Sequence, residues 1–131
     1  MHPTRRYAQA QTETASPERL MVLLFEAGLR HMHSAANALE GGRADEADPS
    51  LTRAGEIVSE LLATLDPTRG AGDLCDTLSD VYGFVNGRLL EAAVQRDPQK
   101  ARDAARVFAP IADGFREAVA RLQAERGAVA P

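Results

Sequence analysis

Residues 16–42 read SPERLMVLLFEAGLRHMHSAANALEGG, and this stretch decides the fold. Ser16 before Pro17 marks a helix start. The serine hydroxyl accepts a bond from an orphan backbone N–H, and a proline at the first helical position has no N–H to leave unsatisfied. Gly41-Gly42 is a natural helix stop. Between these marks, Leu20, Leu23, Leu24, Phe25, Leu29, Met32, Ala35, Ala36 and Leu39 recur at helical spacing. They spread over much of the circumference, as in a helix that is central or covered on two sides.

The same punctuation recurs downstream. Asp48-Pro49 and Asp97-Pro98 repeat the cap-and-proline device, and Asp73 after Gly70-Ala71-Gly72 is a further N-cap. Asp66-Pro67 follows an apolar helical pattern and therefore ends a helix. Helices are predicted over about 17–40, 49–65, 73–96 and 98–125. In the second, Leu51, Ala54, Ile57, Val58, Leu61, Leu62 and Leu65 fall within an arc of about 140°. Leu74, Leu78, Val81, Tyr82, Val85, Leu89, Ala92 and Ala93 make the stripe of the third. Ala101, Ala104, Ala105, Phe108, Ile111, Ala112, Phe115, Val119 and Leu122 make that of the fourth. Pro110 lies opposite this last stripe, so its bend is expected on the solvent side. No segment alternates as a strand does. Four helices with short connections predict an all-α, antiparallel four-helix bundle. Residues 1–15 form a short N-terminal arm, 16–126 the bundle and 127–131 a flexible tail.

The length of 131 residues is that of a single domain. Apolar residues make up 44% and charged residues 26%, an ordinary balance for a globular chain. The net charge of −4 leaves no basic footprint for nucleic acid, and the 5% aromatic content offers few stacking platforms. The longest apolar run, Leu20 to Phe25, is far short of the ~20 residues of a membrane span. Arg5-Arg6 precede no signal-peptide apolar region, so a cytoplasmic location is expected. Cys75 is the one cysteine, which excludes an intramolecular disulfide.

A search for chemistry returns little. His31 and His33 are two apart and point about 200° away from each other on a helix, so they cannot act as the i, i+4 ligand pair of a metal site. Cys75 has no Cys or His at zinc spacing and reads as a small hydrophobe. Asp45, Glu46 and Asp48 cluster in a polar connection. No Glu-x-x-His motif supports a di-iron site, and Gly70-Ala71-Gly72 lacks the Gly-Lys-Ser/Thr ending of a phosphate loop. No enzyme activity and no cofactor are expected. The oddity is on helix three. Gly83, Gly87, Leu90 and Val94 form a second stripe, although each glycine costs a helix about 1 kcal/mol against alanine. Close approach of another backbone would offset that cost. The approaching element is either another helix of the same bundle or a helix of a partner.

Residues 7–24, YAQAQTETASPERLMVLL, resemble the opening of the flagellar export chaperone FliS family. That family has a tyrosine near its start and then a Thr-Ala-Ser-Pro-Glu-x-Leu run, here Tyr7 and Thr14-Ala15-Ser16-Pro17-Glu18-x-Leu20. Further matches follow in order. They are Leu23-Leu24-Phe25-Glu26-Ala27-Gly28, then Ala54, Ile57, Glu60-Leu61 and Leu65-Asp66. Val81-Tyr82-Gly83-Phe84, Arg88-Leu89-x-Glu91-Ala92 and Asp97-Pro98 complete the series. The resemblance spans about residues 7–122. Phe25 stands where the family usually has tyrosine and Phe115 where it commonly has tryptophan.

The resemblance implies a cytosolic helical bundle that binds the C-terminal disordered region of flagellin. Binding prevents premature polymerisation and helps deliver flagellin to the flagellar type III export apparatus. Other flagellar export or regulatory proteins are candidate further partners and a homodimer a candidate client-free state, while charge and composition speak for no nucleic acid and no membrane insertion. On that mechanism Ile57, Leu61, Leu62, Leu65, Tyr82, Leu90 and Val94 are the candidate client groove, with Gly83 and Gly87 allowing close approach. Tyr7 is the candidate N-terminal lid, and Thr14, Ser16 and Pro17 form the helix-capping motif. The alternative is a bundle of similar shape that serves another client or acts as a homo-oligomeric scaffold.

Overall fold

The computed structural model describes residues 16–69 and 72–129. Four α-helices account for most of them: α1 Pro17–Glu40, α2 Ala44–Ala63, α3 Gly72–Gln95 and α4 Pro98–Val129, with a 3-10 turn at Pro67–Arg69 before α3. The expected arm and lid, with Tyr7 and Thr14, lie outside the described residues.

Each helix packs on two neighbours, in the ring α1–α2–α3–α4. Cross-helix ion pairs give the directions. Glu18 at the start of α1 meets Arg126 near the end of α4 at 3.0 Å, and Glu40 at the end of α1 meets Arg102 near the start of α4 at 3.0 Å. Asp48 early in α2 meets Arg96 just after α3 at 2.7 Å. Neighbouring helices therefore run antiparallel, and the fold is the expected four-helix bundle.

The α1 boundaries follow from local chemistry. Ser16 Oγ accepts the Arg19 N–H at 3.2 Å, and Pro17 occupies the first helical position. At the other end the Arg43 N–H reaches the Ala38 carbonyl at 2.8 Å and the Gly42 N–H reaches the Leu39 carbonyl at 3.1 Å. This is the Schellman pattern, and Gly42 supplies the left-handed conformation that it requires, at φ 73°.

The second helix corrects the sequence expectation. It begins at Ala44, not Pro49. The glycine turn delivers the chain directly into a new helix, whose first carbonyl, that of Arg43, accepts from Glu46 and Ala47. Asp45 and Glu46 sit in its first turn, where carboxylates complement the helix dipole. Ala47 is fully buried. Pro49 is exposed inside the helix, removing one backbone bond. Asp48 is thus a cross-helix ion-pair partner, not an N-cap. The far end closes at Thr64, whose hydroxyl donates to the Leu61 carbonyl at 2.7 Å.

Asp97 does cap α4, accepting the Gln99 N–H at 2.9 Å. That helix passes through exposed Pro110 and runs to Val129, into the stretch expected to be a tail.

The core is apolar among the described residues, with Phe108, Met32, Ile57, Leu61, Val22, Val58 and Val85 its largest fully buried side chains. Phe108 is the hub, with ring centroids 5.4 Å from Phe25 and 6.4 Å from Tyr82. Gly28 makes room for it. A Cβ there would stand 3.1 Å from Phe108 Cε2 and 3.2 Å from Ile57 Cγ2.

Candidate partner-binding groove

The seam between α2 and α3 is the candidate site. At one end a groove of about 290 Å³ is lined by Asp48, Leu51, Thr52 and Gly55 of α2, with Asn86, Leu89, Leu90 and Ala93 of α3. At the other end a hollow of about 210 Å³ is lined by Leu62, Leu65 and Pro67 on one side and by Cys75, Asp76 and Ser79 on the other. Between them the Asn86 amide donates to Ser59 Oγ at 3.4 Å. The residues facing this seam from α2 are small, Thr52, Gly55 and Ser59, and a Cβ on Gly55 would stand 3.8 Å from Asn86 Oδ1.

Helical periodicity places the α3 wall. Tyr82, Val85, Leu89 and Ala92 are buried. The stripe on the adjoining flank points outward: Leu90 is 66% exposed and Val94 75% exposed. A Cβ on Gly83 or Gly87 would meet nothing within 4 Å outside the local backbone. No other helix of the bundle therefore lies against these glycines. The close internal contact of a glycine occurs at Gly28 instead.

The predicted site residues separate into two groups. Ile57, Leu61 and Tyr82 are buried in the core, where Tyr82 packs on Phe108, and burial raises the pKa of its phenol. They lie behind the groove and present almost no surface in this structure. Leu62 and Leu65 are half-buried, while Gly83, Leu90 and Val94 are exposed and Gly87 half-exposed. These six share the open side of the α2–α3 pair. Ser16 and Pro17 perform the capping expected of them, at the start of α1.

Sequence reading missed Thr52, Gly55, Asn86, Ala93 and Ser79. The three-and-four spacing of Thr52, Gly55 and Ser59 was an available signal, since small residues in a row permit a close neighbour. Elsewhere, Leu20, Leu23, Leu74 and Phe84 are exposed, and the Arg88 guanidinium lies 4.9 Å from the centroid of the Phe84 ring. Among the described residues no three His, Cys, Asp or Glu side chains converge as metal ligands, and no helix is long and apolar enough to cross a membrane.

Comparison with known proteins agrees with this architecture. A bacterial flagellar chaperone crystal structure superposes with a TM-score of 0.71, at 22% identity, covering 89% of this chain and 94% of that one. At that identity the likeness speaks for the fold. The flagellar secretion chaperone FliSB of Pseudomonas aeruginosa is 29% identical over 107 residues, covering 82% of this chain and 84% of the relative. The flagellar secretion chaperone FliS of Salmonella typhimurium is 29% identical over 118 residues, covering 86% and 87%. That of Bacillus subtilis is 25% identical over 125 residues, covering 95% and 90%. The family model of the flagellar protein FliS matches residues 1–122, and with the ordered motifs and the bundle beneath them, the chain belongs to the FliS family of flagellar secretion chaperones.

Proposed function

We propose that this chain binds the C-terminal segment of flagellin in the bacterial cytosol, keeps it from polymerising and helps present it to the flagellar type III export apparatus. The observation that carries this reading is the uncovered stripe of α3. Leu90 and Val94 stand in solvent, and Gly83 and Gly87 lower the surface between them and the N-terminal half of the helix. A helix laid there buries apolar surface on both partners. That burial offsets the ordering entropy of a client that folds on binding. The buried side chains beneath, among them Ile57, Leu61, Tyr82 and Leu89, hold α2 and α3 in place, so the chaperone is preorganised and the client bears most of the ordering cost. The process is binding and release without turnover. In this reading the N-terminal arm, with Tyr7, occupies the groove until the client displaces it.

Isothermal titration of the full chain with the C-terminal segment of the flagellin from the same genome tests the proposal. Saturable one-to-one binding that Leu90→Asp/Val94→Asp abolishes, with the helical content unchanged, supports it. No heat at tens of micromolar rejects it. If the chain instead forms a stable dimer through the same stripe and ignores flagellin, the scaffold reading replaces it.

A further inference from the structure

The exposed flank of α3 is longer than the apolar part alone. Asp73, Asp76 and Asp80 continue the line of Gly83, Gly87, Leu90 and Val94, in steps of three and four residues throughout. That spacing is the seam along which a second helix packs. From Asp73 to Val94 it extends about 31 Å at 1.5 Å per residue. Two members of the line border the α2–α3 seam: Asp76 lines one hollow and Leu90 the other. The line is polarised: its N-terminal third is acidic, its middle is glycine and its C-terminal third is apolar.

Two of the three carboxylates are not accounted for by the bundle. Asp73 sits in the first turn and complements the dipole of its own helix. Asp76 and Asp80 lie beyond that turn, are exposed, and make no ion pair among the described residues. Glu18, Glu40, Asp48 and Glu91 each have an Arg or Lys partner on a neighbouring element; what sets Asp76 and Asp80 apart from other solvated carboxylates is their place in line with Gly83, Gly87, Leu90 and Val94.

We infer that the occupant of this groove is an amphipathic helix of about six turns running antiparallel to α3, apolar in its N-terminal half and bearing Lys or Arg in its C-terminal half. The apolar half rests on Leu90 and Val94. The basic half faces Asp80, Asp76 and Asp73. Orientation follows from the two helix ends: Asp73 in the first turn of α3 and cations in the last turn of the occupant each complement their own helix dipole, and the antiparallel arrangement brings those two ends together. A parallel occupant would need its cations in its own N-terminal half. This inference rests on the groove assigned above and specifies the chemistry of what fills it.

Two synthetic 22-residue helical peptides of identical composition provide the test. One has Leu and Val on its seam positions in the first half and Lys in the second; the other reverses the order. Binding to the full chain is read by fluorescence anisotropy at 50 and 500 mM NaCl. The first peptide is expected to bind about tenfold more tightly at low salt, with the advantage shrinking at high salt and in Asp76→Asn/Asp80→Asn. Equal affinities, or a preference that this variant leaves intact, would overturn the inference. Flagellin binding measured in parallel separates the two claims. Flagellin binding that Leu90→Asp abolishes, together with equal peptide affinities, overturns the inference and leaves the client reading standing. An intact, salt-sensitive peptide preference without flagellin binding supports the inference and rejects that reading.

Discussion

Substituting Gly83 and Gly87 should move stability and client binding in opposite directions. In a helix interior each glycine costs about 1 kcal/mol relative to alanine. A Cβ at either position meets nothing within 4 Å, so no steric penalty cancels the gain. Gly83→Ala/Gly87→Ala should therefore stabilise the free bundle by about 2 kcal/mol. For a domain of this size that raises Tm by about 6–10 °C. Binding should respond the other way. If a partner helix rests on these glycines, the leucine of Gly87→Leu occupies the space needed for its approach. An overpacked contact costs about 1–3 kcal/mol, which weakens the flagellin segment about 5- to 150-fold. Differential scanning calorimetry of the free proteins and titration with the flagellin segment measure the two effects. A lower Tm in the double alanine variant would mean that the bundle itself needs the glycines. Undiminished affinity in Gly87→Leu would place the client elsewhere.

Gly28 carries the opposite expectation, because Gly28→Val drives a branched side chain into Phe108 and Ile57. It should cost about 1–3 kcal/mol in urea titration, less any gain in helix propensity. Ser16→Ala removes the acceptor of the Arg19 N–H and should cost about 1 kcal/mol, read as an earlier urea midpoint. The bond from Arg126 holds the Glu18 carboxyl at about 2, against an ordinary value of 4.5. A depressed carboxyl stabilises the native state above its unfolded pKa and loses that contribution as the pH falls through its folded value. Between pH 4.5 and 2 the urea midpoint should thus fall more steeply in the native sequence than in Glu18→Gln; parallel curves would dissociate that pair from the acid sensitivity.

How far the fold was legible depended on how local its causes are. The bond between Ser16 and the Arg19 amide spans three residues, so Ser16-Pro17 could be read directly as a helix start. Asp48-Pro49 has similar local chemistry and misled, because the actual start of α2 is set by the glycine turn and by Ala47 reaching the core. The proline is simply carried on the exposed side. The stripe on α2 was wide enough to suggest surplus apolar surface, yet Ile57 and Leu61 are fully enclosed. That helix packs on two neighbours, and two contacts require a wide arc. Glycine shows the limit most clearly. Gly83 and Gly87 interrupt a helical stripe, while Gly28 carries no local mark among the residues of α1. Composition could not tell which made room for a side chain of the bundle and which faced solvent. Phe108 lies eighty positions beyond Gly28, and only the packed bundle places its ring there. The same packing leaves Gly83 and Gly87 uncovered beside exposed Leu90 and Val94, a grouping that exists only once the four helices have come together.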